Sequence, residues 1–377
     1  MSIPSLPRFS TSKVLIEVKE VPWEATWGLS AQAAAAKRRS MNHSHTRRGQ
    51  VCPLSVAPMM QRTDRHFRVL MRMITKHTLL YTEMLTANAV IHGKRELLLG
   101  FDAAEHPIAL QLGGDDPSTL ARAAQIGADW GYDEINLNVG CPSNRVQNGC
   151  FGASLMRRPE RVAEIVDAIR SKVTLPVTVK HRIGVDELDR YEDMANFVAI
   201  VRESGADRFS VHARKAWLNG LSPKDNRNIP PLRYEDVYRL KSEFPELVIE
   251  INGGITTLEQ SRVHLEKVDA VMIGRAAYDN PMLFAEVDAR FFDAPPRELS
   301  RVELVEAMLP YIEEAMKRPG TKLQHISRHL LNLFKGCYGG RNYRRILSEG
   351  SWREDADWRL VAKALNEVKP SAQASAA

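Results

Sequence analysis

A cysteine set between a glycine and a proline is the residue in this sequence best placed to do chemistry. The stretch Glu134-Ile135-Asn136-Leu137-Asn138-Val139-Gly140-Cys141-Pro142-Ser143 reads as a short strand over 135–139 running into a tight turn. Gly140 and Pro142 suit a turn, and turn tips face clefts more often than cores, so the Cys141 thiol is lifted toward an opening. Packing filler is the ordinary alternative for a cysteine. Cys52, Cys141, Cys150 and Cys337 include no C-x-x-C pair. That spacing argues against a disulfide scaffold, a zinc site or an iron–sulfur cluster, and no metal is expected.

Other polar residues recur where short runs of Val, Ile and Leu end. In order they are Pro58-Met59, Glu83-Met84, Gln111, Asn138 with Cys141, Lys180 with Arg182, His212 with Arg214, Asn252-Gly253-Gly254, and Gly274-Arg275. Lys180 puts a cation at the end of a Val-Thr-Val run, and Gln111 both donates and accepts. Arg182 and Arg214 suit equally well holding a phosphate backbone or stiffening a rim. The glycines after the last two runs let backbone N–H groups approach an anion, which suggests a phosphorylated ligand. His325 and His329 are four apart with no Glu after the first, so the metalloprotease pattern is absent and ordinary helix-surface histidines are expected.

The runs that must position these groups are 54–59, 79–83, 108–112, 135–139, 177–180, 208–212, 247–251 and 270–273, most of them followed by a helical pattern. Between two of them Val162, Ile165, Val166 and Ile169 recur at helical spacing over 161–171. Eight strands alternating with helices predict an α/β fold, a (β/α)8 TIM barrel, whose strand ends converge on one mouth. An open doubly wound sheet would carry G-x-G-x-x-G after its first strand, and none is present.

With 377 residues the chain has room for such a barrel and a smaller unit. The expected division is an extension over 1–50, a barrel over 51–298, a helical domain over 299–367 and a flexible tail over 368–377. The extension contains Ala33-Ala34-Ala35-Ala36 followed by Lys37-Arg38-Arg39. It suits a functional tail, a translation start placed ahead of Met41, or an organelle-targeting peptide. Residues 1–50 hold eight of the Lys and Arg against three acids, leaving 44 basic and 43 acidic residues over 51–377. Net charge therefore decides nothing about partners, and its distribution does. Within 322–345 stand Lys322, Arg328, Lys335, Arg341, Arg344 and Arg345 with no acid, interleaved with Tyr338, Tyr343 and Gly339-Gly340. Cations with ring faces and an adaptable backbone suit RNA. No apolar run is long enough to span a bilayer and no secretory leader is visible, so a soluble, cytoplasmic protein without membrane contact is expected.

These residues resemble the tRNA-dihydrouridine synthases. The likeness is carried by Val56-Ala57-Pro58-Met59, Leu80-Tyr81-Thr82-Glu83-Met84, Ala109-Leu110-Gln111-Leu112-Gly113-Gly114 and Asn136-Leu137-Asn138-Val139-Gly140-Cys141-Pro142. It continues through Pro176-Val177-Thr178-Val179-Lys180, Val211-His212-Ala213-Arg214-Lys215-Ala216, Ile251-Asn252-Gly253-Gly254 and Ile273-Gly274-Arg275. It covers about residues 54 to 350. The segment Leu221-Ser222-Pro223-Lys224-Asp225-Asn226-Arg227 and the stretch Arg341-Asn342-Tyr343-Arg344-Arg345 are similar to the A branch of that family.

The resemblance implies an FMN barrel with NADPH as electron source, reducing uridines 20 and 20a of the tRNA D-loop. Hydride from reduced FMN would reach C6 of uracil and a proton would reach C5. A cysteine, with an ordinary pKa near ~8.5, is still a thiol at neutral pH and can donate. By matching position Cys141 is that acid. Pro58, Met59, Gln111, Lys180, His212, Asn252, Gly253, Gly254, Gly274 and Arg275 are implied as FMN contacts. Asn138, Lys224, Arg227, Arg341 and Arg344 are implied as tRNA contacts. A monomer is expected. The competing readings are an FMN barrel that reduces a free pyrimidine, which needs no basic tail, and a tRNA-binding chaperone without redox chemistry.

Overall fold

The computed structural model describes residues 51–143 and 151–368; the predicted extension over 1–50, Cys150 and the predicted tail from 369 lie outside them. The eight apolar runs and one further pair of residues form the nine strands found among the described residues: β1 Leu54–Val56, β2 Leu79–Tyr81, β3 Leu85–Thr86, β4 Ile108–Gly113, β5 Glu134–Val139, β6 Val177–Arg182, β7 Arg208–His212, β8 Ile249–Asn252 and β9 Ala270–Ile273. They pair in parallel in the order β2-β1-β9-β8-β7-β6-β5-β4, and β2 pairs with β4 through Leu80 and Ile108 to close the ring. Eight strands thus make the expected barrel, and the two-residue β3 adds a rim pairing on the end of β4. β1 stops short of residue 59 because Pro58 has no N–H to give a ladder. The helix Pro159–Arg170 buries Val162, Ile165, Val166 and Ile169, the face its spacing predicts.

Alternation along each strand divides the barrel into two surfaces. On β5, Ile135, Leu137 and Val139 join the outer core under the helices, while Glu134, Asn136 and Asn138 bond to neighbouring strands from the inner face. The interior is itself split. Ala57, Leu79, Tyr81, Ala109 and Met272 make an apolar cluster on the side of β1, β2, β4 and β9. The side built by β5 to β8 carries Glu134, Asn136, Thr178, Arg208, Ser210 and Glu250, all buried. Glu134 accepts from Arg208 at 2.6 and 2.8 Å, and Glu250 stands 3.5 Å from Arg208 Nε and accepts from Ser55 at 2.6 Å, so one arginine faces both carboxylates at the barrel floor.

Among the described residues four helices lie beyond residue 298: Arg301–Met316, Leu323–Ser327, Gly340–Gly350 and Trp358–Asn366. They dock on the helix Arg65–Ile74 through its N-cap. The Asp64 carboxylate accepts from the amides of His66 and Phe67 at 3.0 Å each, from His329 Nε2 at 3.0 Å, and from the Arg328 guanidinium. His66 Nδ1 meets Tyr311 Oη at 2.7 Å. His329 is therefore not the helix-surface residue its spacing from His325 suggests. The helix ends at Ser327, and His329 is buried with its ring against Phe67 and Tyr278.

A second expectation also changes. Tyr343 offers no ring face to a partner, being fully buried edge-on against Phe334 with ring centroids 4.7 Å apart. Gly339-Gly340 is not an adaptable hinge either. Gly339 has φ +71°, and a Cβ there would stand 1.8 Å from the Glu367 carbonyl oxygen, so glycine lets two helical segments approach. Tyr338, 93 % exposed, keeps its ring open to solvent. Among the described residues no helix is long and apolar enough to cross a membrane, and no group of three or more His, Cys, Asp or Glu is arranged to hold a metal.

Candidate active site

At the end of β5 the backbone leaves the sheet at Gly140, and the Asn138 side chain sets the turn. Its Oδ1 accepts from Gly140 N at 3.2 Å and from Cys141 N at 3.0 Å. The turn is fixed on its other side as well: the Cys141 carbonyl accepts from Ala153 N at 2.9 Å, and the Gly140 carbonyl accepts from Arg182 Nε at 2.9 Å. Pro142 is buried while Cys141 is partly exposed, and its Sγ donates to Ser143 Oγ at 3.6 Å. The thiol is thus held at the lip of the mouth with its proton directed along the turn.

Strand register places the other predicted groups in neighbouring rows at this end of the barrel. Asn138 lies beside Lys180, Arg182 beside His212, and His212 beside Asn252. Gln111 lies beside Asn136, one inward position below Asn138. Lys180 Nζ donates to Asn252 Oδ1 at 3.2 Å, and Asn252 Nδ2 donates to the Met272 carbonyl at 2.7 Å. Burial, helped by the Arg182 charge and opposed by Glu250, pushes the Lys180 ammonium down to about 8. Burial first, then Arg182, Lys180, Arg214 and Arg275, hold His212 well below the ordinary histidine value, so it is neutral at pH 7. Its Nδ1 is buried without a hydrogen-bond partner among the described residues.

The two arginines left open between phosphate contact and rim support separate here. Arg182 is buried, and its Nη1 donates to the carbonyls of Lys215 at 3.0 Å and Asn226 at 3.1 Å in addition to Gly140. It clamps the cysteine turn to the loop after β7. Arg214 donates to the Pro230 carbonyl and stays partly exposed at the mouth. That loop presents Lys224 and Arg227 to solvent, and Arg275 joins it by donating to Asn228 Oδ1 at 2.6 Å and the Arg227 carbonyl at 3.1 Å.

The glycines differ in what requires them. Gly254 has φ +72°, and a Cβ there would lie 2.5 Å from Leu232, so backbone and packing both demand glycine. A Cβ on Gly274 would meet only Ala57 Cβ at 3.7 Å, which leaves the space over it open at the ends of β1 and β9, where Pro58 and Met59 also stand. Arg341 and Arg344 are exposed on the helix Gly340–Gly350, outside the mouth.

The model of the dihydrouridine synthase family matches residues 55–369. The chain belongs to that family. It is 60 % identical over 317 residues to a Synechocystis protein named tRNA-dihydrouridine(20/20a) synthase, a match that spans 84 % of this chain and 95 % of that one. Proteins of the same name from Shewanella oneidensis and Escherichia coli K12 are each 52 % identical over 315 residues, covering 84 % and 83 % of this chain and 93 % and 91 % of theirs. Dihydrouridine synthases are flavin-dependent oxidoreductases that reduce uridine to dihydrouridine in tRNA. The barrel mouth is where this dihydrouridine synthase brings thiol, amide, ammonium and imidazole together. What single-residue reading passed over is the support beneath them: Glu134, Asn136, Thr178 and Arg208. Its signal was the every-second-residue polarity Glu134-x-Asn136-x-Asn138 inside an otherwise apolar strand.

Proposed function

We propose that this dihydrouridine synthase uses flavin mononucleotide and NADPH to reduce uridines 20 and 20a of tRNA, with Cys141 as the acid. The observation that carries the reading is the Cys141 thiol fixed by Asn138 at the same opening as Gln111, Lys180 and His212. The residues present fit the cofactor. His212 offers a buried nitrogen that nothing among the described residues satisfies, Gly274 leaves a space that packing does not require, and Lys180, Arg214 and Arg275 supply positive charge. Pro58, Met59, Gln111, Lys180, His212, Asn252, Gly253, Gly254, Gly274 and Arg275 would hold it. When bound and reduced, the flavin supplies the hydride that uracil C6 needs.

The protein's own part is proton delivery and orientation. Electron density gathers on C5 and O4 of the base as C6 is reduced, and Cys141 Sγ gives its proton to C5. Solvent then reprotonates the thiolate, so one hydride and one proton complete the C5–C6 single bond. Lys180, still mostly charged at pH 7, favours negative charge at the mouth. Lys224 and Arg227 beside the mouth, and Arg341 and Arg344 on the following helices, are read as phosphate contacts for a nucleotide swung out of the D-loop. Residues 299–367 form the tRNA-binding unit of a cytoplasmic monomer in this reading.

The test is nucleoside mass spectrometry of unmodified tRNA incubated with protein, FMN and NADPH. A D-loop uridine that gains the mass of two hydrogens supports the reading, and fragment mapping distinguishes position 20 from 20a. A tRNA left unchanged while free uracil or orotate is reduced overturns it.

A further inference from the structure

One unbroken chain of side-chain hydrogen bonds runs from the barrel floor to the cysteine turn. Thr178 Oγ1 donates to Glu134 Oε1 at 2.6 Å, and accepts from Asn136 Nδ2 at 2.8 Å. Gln111 Nε2 donates to Asn136 Oδ1 at 2.8 Å, and Asn138 Nδ2 donates to Gln111 Oε1 at 3.0 Å. Asn138 Oδ1 then accepts the two amide protons of Gly140 and Cys141.

Both ends of this chain have one possible sense. The Glu134 carboxylate, bonded by both oxygens to Arg208, only accepts; the Gly140 and Cys141 amides only donate. A hydroxyl and three primary amides lie between, and each could turn either way in isolation. Linked in series between a fixed acceptor and a fixed donor, they have one arrangement that satisfies every bond, and reversing any one amide sets N–H against N–H or oxygen against oxygen at both of its neighbours. Thr178 and Asn136 are wholly buried and reach neither the mouth nor the thiol. They nevertheless fix which way Gln111 and Asn138 face.

We infer that Thr178 and Asn136 are positioning residues that polarise the amides at the mouth. The inference rests on the proposed roles of Cys141 and Asn138. Its consequence for substrate choice is concrete. With Oδ1 holding two backbone amides, Asn138 has only its second Nδ2–H left to offer, so a base read by Asn138 must present a carbonyl oxygen there. The exocyclic amine of cytosine at that place would set donor against donor.

The test compares Thr178→Val, which keeps the shape and removes the hydroxyl, with Thr178→Ser, which keeps the hydroxyl. Two readouts are taken on each folded protein beside its melting temperature: the alkylation rate of Cys141, followed by peptide mass spectrometry without tRNA, and kcat and KM on unmodified tRNA. Expected is a severalfold change in Cys141 alkylation and a fall in kcat of about tenfold to a hundredfold for Thr178→Val, with KM for tRNA held and the serine variant near the parent protein. Asn136→Leu, which removes both the donor to Thr178 and the acceptor for Gln111 at nearly equal size, serves if the valine protein does not fold and should change the same two quantities. A valine variant equal to the parent in both, or a serine variant as impaired as valine, overturns the inference. Altered alkylation in a protein whose parent leaves tRNA unreduced would keep the positioning chain and remove the proposed reaction.

Discussion

The barrel mouth and the C-terminal helices both present cations, and they hold them in opposite ways. Lys180 and Arg182 are fixed by named oxygens, the amide of Asn252 for one and three carbonyls for the other, and burial depresses both, to about 8 and about 10. Arg341, Arg344 and Arg345 stand exposed on one helix, with Tyr338 open nearby. A cation held at one place in low dielectric can act on a particular atom; one that moves in water contributes charge. Changes at the mouth should therefore be steep and chemical, and changes on the tail shallow and salt-dependent.

The steepest expected effect is at the thiol. Cys141→Ala should lower the rate of dihydrouridine formation by about a hundredfold or more, the range for loss of a positioned acid. Binding of unmodified tRNA, measured by filter retention, should be unchanged. Weakened tRNA binding of similar size would blur the two regions into one.

The contact that joins them comes next. Asp64 caps the helix Arg65–Ile74 and accepts from His329 and Arg328 of the tail. Burial raises its carboxyl, but the bond and charge of His329, then His66 and the Phe67 amide, outweigh that and hold it well below the usual carboxylate range. Its contribution is thus present above pH ~4 and lost as pH falls below it. His66, which burial pushes down to about 3, works in the same direction, losing stability as pH falls from ~6.5 toward 3. Asp64→Ala should cost about 2 kcal/mol near neutral pH, a lost N-cap plus a pair whose arginine is partly exposed. Urea denaturation at pH 7 and at about pH 3 checks both size and sign: the variant's deficit should shrink at the lower pH.

At the mouth, the Lys180 value gives a pH test with a defined sign. Its folded pKa is depressed, so the free protein loses the ammonium near pH 8, and an anionic flavin bound beside it raises that pKa again. Affinity for flavin mononucleotide should be flat below pH 8 and fall by up to about tenfold per pH unit above it. Fluorescence titration of Lys180→Met should show weaker binding without that break. An unchanged break would move the group elsewhere.

Most of the mouth was legible in the sequence because its groups fall within or just after short apolar runs, where barrel geometry alone gathers them. Lys180, His212 and Asn252 needed no long-range information beyond eight strands in order. Asn136 and Thr178 were not singled out because their importance is relational. A buried asparagine in a strand looks like any other until the partner on the neighbouring strand is known. The tail was read less well for a similar reason. Tyr343 and His329 lie in a basic stretch that reads as a surface, yet the ring of Phe334 takes one inside and Asp64, far away in sequence, takes the other. Local composition carried the charge of that segment and not the direction of its side chains.

The smallest expected effect tests the tail on its own terms. Arg344 is exposed on the helix Gly340–Gly350, its Nη1 within 3.5 Å of Asn332 Oδ1, and no shift in chemistry is asked of it. If it neutralises one phosphate, Arg344→Ala should weaken tRNA binding severalfold and reduce the slope of log affinity against log salt by about 0.7 to 0.9. Flavin content and kcat at saturating tRNA should be those of the parent protein. A salt slope equal to the parent's would mean that Arg344 meets no phosphate, and the footprint would then contract to Lys224 and Arg227 beside the mouth. A fall in kcat instead would mean that the tail orients the base as well as attracting the backbone, and the division between acting on an atom and contributing charge would not hold.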